Sequence, residues 1–113
     1  MRKIKIQFTL FSAFYSPLIS TMTGGFLKDE GLEFEYSVSA PGVTAIAALD
    51  DGSADVVQST LSQGFNTLNK GEVPNCVHFA QINEMDGFFL TGRTADADFN
   101  WKSLEGADVL VHH

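Results

Sequence analysis

The sequence predicts an α/β domain: a mostly parallel sheet with helices on both faces. Three observations predict it. Short stretches with apolar residues at every second position recur along the chain. Segments with helical spacing separate them, and glycines stand where those segments should stop, at Gly31, Gly52 and Gly71. Strands that alternate with short helices call for a parallel sheet joined by right-handed crossovers.

Lys3 to Leu10 carries Ile4, Ile6, Phe8 and Leu10 at period two, a strand with one strongly apolar face. Ser16-Pro17 then reads as an N-cap with proline at the first helical position. Leu18, Ile19, Met22, Phe26 and Leu27 follow at helical spacing. Gly24 and Gly25 each weaken that helix by about 1 kcal/mol relative to alanine, so a break or close contact is expected there. Leu32 to Val38 alternates Leu32, Phe34, Tyr36 and Val38 as a second strand, and Ser39-Ala40-Pro41-Gly42 is a turn. Val43 to Leu49 is an alanine-rich helix, Ala54 to Gln58 a third strand, and Thr60 or Ser62 caps a third helix with Phe65 and Leu68 inward. Val77 to Ile82 and Phe88 to Thr91 read as a fourth and fifth strand. A helical turn near Trp101 to Leu104 precedes a sixth strand starting at Asp108 to Val111.

A chain of 113 residues allows one domain at most, large enough for a real core. Seven basic and fourteen acidic side chains give a net charge of -7. The N-terminal Arg2, Lys3 and Lys5 make no basic stripe, so neither nucleic acid nor an anionic membrane is an expected partner. No apolar run approaches the ~20 residues of a membrane-spanning helix, so direct membrane insertion is not expected either. Cys76, the single cysteine, rules out an intrachain disulfide and leaves the redox compartment open.

In open α/β sheets, ligands bind beyond the carboxyl ends of the strands. The loops expected there are Phe11 to Ser16, Ser39 to Thr44 and Ser59 to Ser62, all rich in hydroxyls. The candidate ligand-contacting residues are Ser12, Phe14 and Tyr15 in the first loop, Ser39, Gly42, Val43 and Thr44 in the second, and Ser59 and Thr60 in the third. Phe14 and Tyr15 offer cover for a planar or apolar ligand. Taken singly, the hydroxyls are more simply helix caps. Three such loops converging on one edge point to a shared cleft.

Three segments resemble a known family. Gly25-Phe26-Leu27-Lys28-Asp29-Glu30-Gly31-Leu32 is similar to the G-x-F-x-x-x-G-L segment of substrate-binding proteins of the nitrate/sulfonate/taurine and thiamine-pyrimidine type. Leu49-Asp50-Asp51-Gly52-Ser53-Ala54-Asp55-Val56 resembles their L-x-x-G-x-x-D-hydrophobic segment. Ser103-Leu104-Glu105-Gly106-Ala107-Asp108-Val109 resembles their entry into a second lobe. The resemblance covers nearly the whole chain and implies a periplasmic-binding-protein-like fold of type II. It makes residues 1–90 the first of two lobes that close on ligand, and 91–113 the crossover and first strand of an incomplete second lobe. It implies a small organic or anionic solute as ligand, an ABC-type permease as partner of the full-length protein, no cofactor and no catalysis. Exported members carry a leader or a lipid-anchored cysteine, and neither is seen here; a trimmed chain or an intracellular relative is expected, which leaves the compartment open. An enzymatic branch on this fold makes the thiamine pyrimidine, with a lysine that holds pyridoxal phosphate and a nearby histidine. The corresponding positions here are Gln58 and Ser62, so the alternative of such an enzyme loses its chemistry.

Other constellations are weaker. Cys76 and His78 share a strand face in an apolar run, and burial in the core is the expected role. Asp96-Ala97-Asp98-Phe99-Asn100 imitates a calcium loop, but its sixth position is Trp101 and its twelfth Ala107, which excludes one. Glu84 and Asp86 are expected in a solvated turn, with a minor alternative of meeting a cationic ligand. His112 and His113 would point to opposite strand faces, so they suit no common metal; they mark either a cleft edge or the stump of a truncation.

Overall fold

The computed structural model describes residues 1–85 and 87–111. Three strands form one parallel sheet in the order β2-β1-β3: β1 at Arg2–Phe8, β2 at Leu32–Val38 and β3 at Val56–Gln58. Among the described residues four short α-helices accompany it: α1 at Ser16–Thr23, α2 at Phe26–Asp29, α3 at Ala45–Asp50 and α4 at Ser62–Asn69. Single 3-10 turns occupy Ala13–Tyr15 and Trp101–Leu104. The α/β class and the parallel sheet agree with the sequence reading, and the arrangement fits the first lobe of a periplasmic-binding-like fold. Among the described residues no helix is long and apolar enough to cross a membrane.

The core forms on one face of β1. Ile6 and Phe8 are buried with Met22 of α1, and Ile4, Leu18, Ile19, Leu27 and Phe34 pack around them. The period-two pattern of β1 thus meets the helical pattern of α1 and α2. The expected break falls at the glycine pair. A Cβ on Gly24 would stand 2.7 Å from the Ser20 carbonyl oxygen, and Gly25 turns the chain with φ +87° before α2. Phe26, read as part of the inward stripe, is exposed instead, because the break rotates α2 away from the register of α1.

From β1 the chain moves outward to β2, then returns past β1 to β3. With right-handed crossovers, connections in opposite directions lie on opposite faces of the sheet. The buried Ala45 and Ala48 of α3 accordingly stand outside the Ile6–Phe8–Met22 cluster. Asp55 fastens β3 to β1: its N–H donates to the Lys5 carbonyl at 2.9 Å, and its carboxylate accepts from the Lys5 N–H at 2.9 Å. Gly31, Gly52 and Gly71 all follow helices with positive φ, as their positions suggested.

Several expectations are corrected. Ser16 does not cap α1; Tyr15 holds the cap position without a side-chain bond, and Ser12 caps the preceding 3-10 turn. Neither Thr60 nor Ser62 caps α4, since their hydroxyls bond to each other at 2.7 Å. Phe65 and Leu68 face solvent at 55% and 54% exposure, and Gly64 is the buried position of α4. The expected fourth, fifth and sixth strands, at Val77 to Ile82, Phe88 to Thr91 and Asp108 to Val111, are not strands among the described residues. Each has the right apolar pattern, but among the described residues the sheet holds only β2, β1 and β3, and an apolar period of two makes a strand only where it joins a sheet. Cys76 is only half-buried and His78 is exposed, so neither is a core residue. His112, His113 and Asp86 lie outside the described residues.

Candidate functional site

Register decides where the loops go. Phe8, the last residue of β1, is level with Val38 at the end of β2 and with Gln58 at the end of β3. All three strands therefore stop at one height and release their loops along a single rim. The Ser39 N–H donates to the Phe8 carbonyl at 2.8 Å, and the Thr9 N–H donates to the Gln58 carbonyl at 3.3 Å. The direction of strand order reverses between β1 and β3. In such sheets the point where strand order reverses is the usual ligand position.

Beneath the rim lie two buried glutamines. Gln58, 4% exposed, accepts from the Thr9 hydroxyl through Oε1 at 3.2 Å. Gln7 accepts from the Ser39 hydroxyl through Oε1 at 2.9 Å, and its Nε2 donates to Ser37 Oγ at 3.4 Å. These amides hold two rim hydroxyls from below. The sequence reading had no role for Gln7 and saw Gln58 only as a replaced lysine. The available signal was a glutamine at or next to the last residue of an apolar strand, where burial demands a hydrogen-bond partner.

In the first loop, Ser12 Oγ accepts from the Phe14 N–H at 3.1 Å. The Phe14 and Tyr15 rings meet edge to face with centroids 5.2 Å apart. Tyr15 packs against the core cluster, whereas Phe14 is 43% exposed. A second aromatic group escaped the sequence reading: Phe11 stacks on Tyr36 at 5.5 Å, and both contact Phe8 edge to face. In the second loop, Ala40-Pro41-Gly42-Val43 closes through the Val43 N–H and the Ala40 carbonyl at 3.1 Å, with Gly42 at φ +79° as a type II turn requires. Thr44 caps α3, its hydroxyl oxygen accepting from the Ala47 N–H at 3.3 Å. In the third loop, Ser59 is half-buried and Thr60 exposed.

Each of the nine candidate residues lies in a loop leaving this common edge. Tyr15, Thr44 and Thr60 follow β1, β2 and β3 respectively. None of the three loops contains Asp, Glu, Lys, Arg or His. Such a rim offers neutral donors, acceptors and aromatic surface. Among the described residues no three His, Cys, Asp or Glu side chains gather in a way that could hold a metal ion. An open groove of about 420 Å³ runs beside β3, lined by α3, Ser59, Gln63 and the stretch from Asn75 to Phe79. Gln63 Oε1 is buried there without a hydrogen-bond partner among the described residues.

Over 110 residues, 97% of its length, the chain is 27% identical to a protein of Bacillus subtilis (strain 168) named "Putative binding protein YtlA". The chain is similar to a protein named for binding. It spans about a third of the length of that curated relative, 33%. No protein-family model matches the chain, and no solved structure matches it.

Proposed function

We propose that this chain forms the ligand-facing rim of a solute-binding receptor that serves an ABC-type importer. The ligand is a small organic or anionic solute. In this reading residues 1–90 are the first of two lobes, residues 91–113 lead into the second, and the solute lies between them. One observation carries the reading: three parallel strands end at one height, so their uncharged, hydroxyl-bearing loops share one edge beside the strand-order reversal. The relative's name agrees with binding rather than catalysis. The enzymatic alternative finds no support at Gln58, which has no amine to hold pyridoxal phosphate and is buried against Thr9.

The test is a thermal-shift screen of the intact protein with sulfonates, nitrate, pyrimidines and aromatic acids. A true ligand at a hundredfold excess over its dissociation constant stabilises the fold by about 3 kcal/mol. Ser39→Ala and Thr60→Ala should weaken that response. A panel in which no compound raises the melting temperature overturns the proposal.

A further inference from the structure

We infer that Asn83 and Gly87 are positioning residues for the first rim loop, and that together they fix where the Phe14 ring stands at the rim. The Asn83 side-chain amide donates to the Phe14 carbonyl oxygen at 2.9 Å, across 69 positions of sequence. Asn83 is itself held, because Gln81 Nε2 donates to its carbonyl at 3.0 Å. Gly87 lies directly against the Phe14 ring: a Cβ there would come within 2.3 Å of Cε2 and 2.9 Å of Cδ2. Any side chain at position 87 therefore displaces the ring. Ser12 already holds the Phe14 N–H at 3.1 Å. Backbone donor, backbone acceptor and ring of this one residue are each engaged, two of them by Asn83 and Gly87, which lie in no strand or helix.

The contacts cannot be explained as core packing. Phe14 is 43% exposed and stands outside the Ile6–Phe8–Met22 cluster, touching Tyr15 edge to face at 5.2 Å. What the grip controls is the position of an aromatic surface at the rim. The functional sense of this inference rests on the rim being the ligand-facing edge; the contacts themselves do not.

Nuclear magnetic resonance on the intact protein tests it without a ligand. Wild type should show contacts between the Gly87 α-protons and the Phe14 ring. Gly87→Ala should move the Phe14 and Tyr15 ring resonances while leaving those of Ile6 and Met22 in place. In a Phe14→Leu background the same substitution should move nothing further, which a general loss of stability would not produce. Asn83→Asp, nearly the same shape but without the donor, should behave like Asn83→Ala. Absence of the Gly87–Phe14 contacts in wild type, or Phe14 resonances indifferent to Gly87→Ala, overturns the inference. With uracil as probe, Gly87→Ala should weaken binding by roughly tenfold, the scale of one aromatic contact. Unchanged uracil affinity overturns the functional role. If uracil binds neither protein, the rim reading fails for pyrimidines and the ring resonances alone decide the positioning role.

Discussion

Residues 1–69 and residues 70–111 share a vocabulary but not an outcome. Both contain alternating apolar stretches: Ile4, Ile6 and Phe8 in one, Val77 and Phe79 or Phe88 and Leu90 in the other. In the first region Ile6 and Phe8 are buried and Ile4 is half-buried between the sheet and its helices. In the second, Val77 and Phe79 are 83% and 75% exposed. The radius of gyration, 18.3 Å, exceeds the roughly 13 Å of a compact chain this long. The difference teaches that an apolar period of two makes a segment competent to be a strand, while a neighbour with free backbone groups makes it one. β1 has two such neighbours, β2 and β3. The stretch from Asn75 to Phe79 lies beside β3, across a groove, without pairing to it.

The largest expected effect separates the two regions directly. Phe8 is fully buried, so Phe8→Ala should cost about 3–5 kcal/mol, the transfer and cavity cost of a core phenylalanine. Phe79→Ala should stay within about 0.5 kcal/mol, as for a surface position. Urea unfolding followed by far-ultraviolet circular dichroism reads the sheet. Trp101, the single tryptophan and 76% exposed, reads the second region by fluorescence. The two probes should not give coincident transitions. Coincident curves, or a large cost for Phe79→Ala, would show one cooperative unit and break the comparison.

This contrast also explains what was legible in the sequence. Local signals were read correctly where their partners lie close along the chain: the β1 pattern, the Gly24–Gly25 break and the helical turn at Trp101–Leu104. The common rim was legible too, because parallel strands with crossover helices must end on one side. The hydrogen-bond partners of Gln7 and Gln58 were not, since they depend on register between β1 and its neighbours. Phe65 and Leu68 were misread because, among the described residues, the outer side of α4 stays exposed, which no period in the sequence can report. The hold of Asn83 and Gly87 on Phe14 joins residues some seventy positions apart and left no local trace.

A matched pair of glycine substitutions sharpens the boundary. Gly42 and Gly106 have φ of +79° and +75°, and a Cβ at either would meet open space. Alanine therefore costs only backbone strain at both, about 1–2 kcal/mol. At Gly42 that strain falls on the turn between β2 and α3, so Gly42→Ala should lower the midpoint of the sheet transition by nearly the full amount. At Gly106 the same strain should be absorbed locally. Equal shifts of the circular-dichroism midpoint would mean that the second region unfolds with the first.

The smallest effect is electrostatic and belongs to the cored region. The Ser53 hydroxyl, and after it the Ser53 N–H, hold the Asp51 carboxyl below its usual value of 3.8. The hydroxyl is shared with the Ala48 carbonyl at 3.3 Å, so the N–H, 2.8 Å from the carboxylate, is the firmer contact. A carboxyl held low in the folded state adds stability that is complete above the unfolded value. That stability is lost as pH falls through the folded value. Asp51 is exposed in the turn after α3, which keeps the contribution small. Acid titration of stability, from about pH 5 downward, should therefore show a shallower fall for Asp51→Asn than for wild type. Lys3 mirrors this at the other end: its hydrogen bond and charge pairing with Glu35, at 2.6 Å, raise its pKa above 10.5. Its contribution is complete below 10.5 and fades as pH rises through the folded value, so Lys3→Met should flatten the alkaline limb. Both slopes should appear in the circular-dichroism transition and be missing from the Trp101 signal, because both groups are tied to the sheet or to α3. A pH dependence shared by the two probes would join the regions that the packing separates.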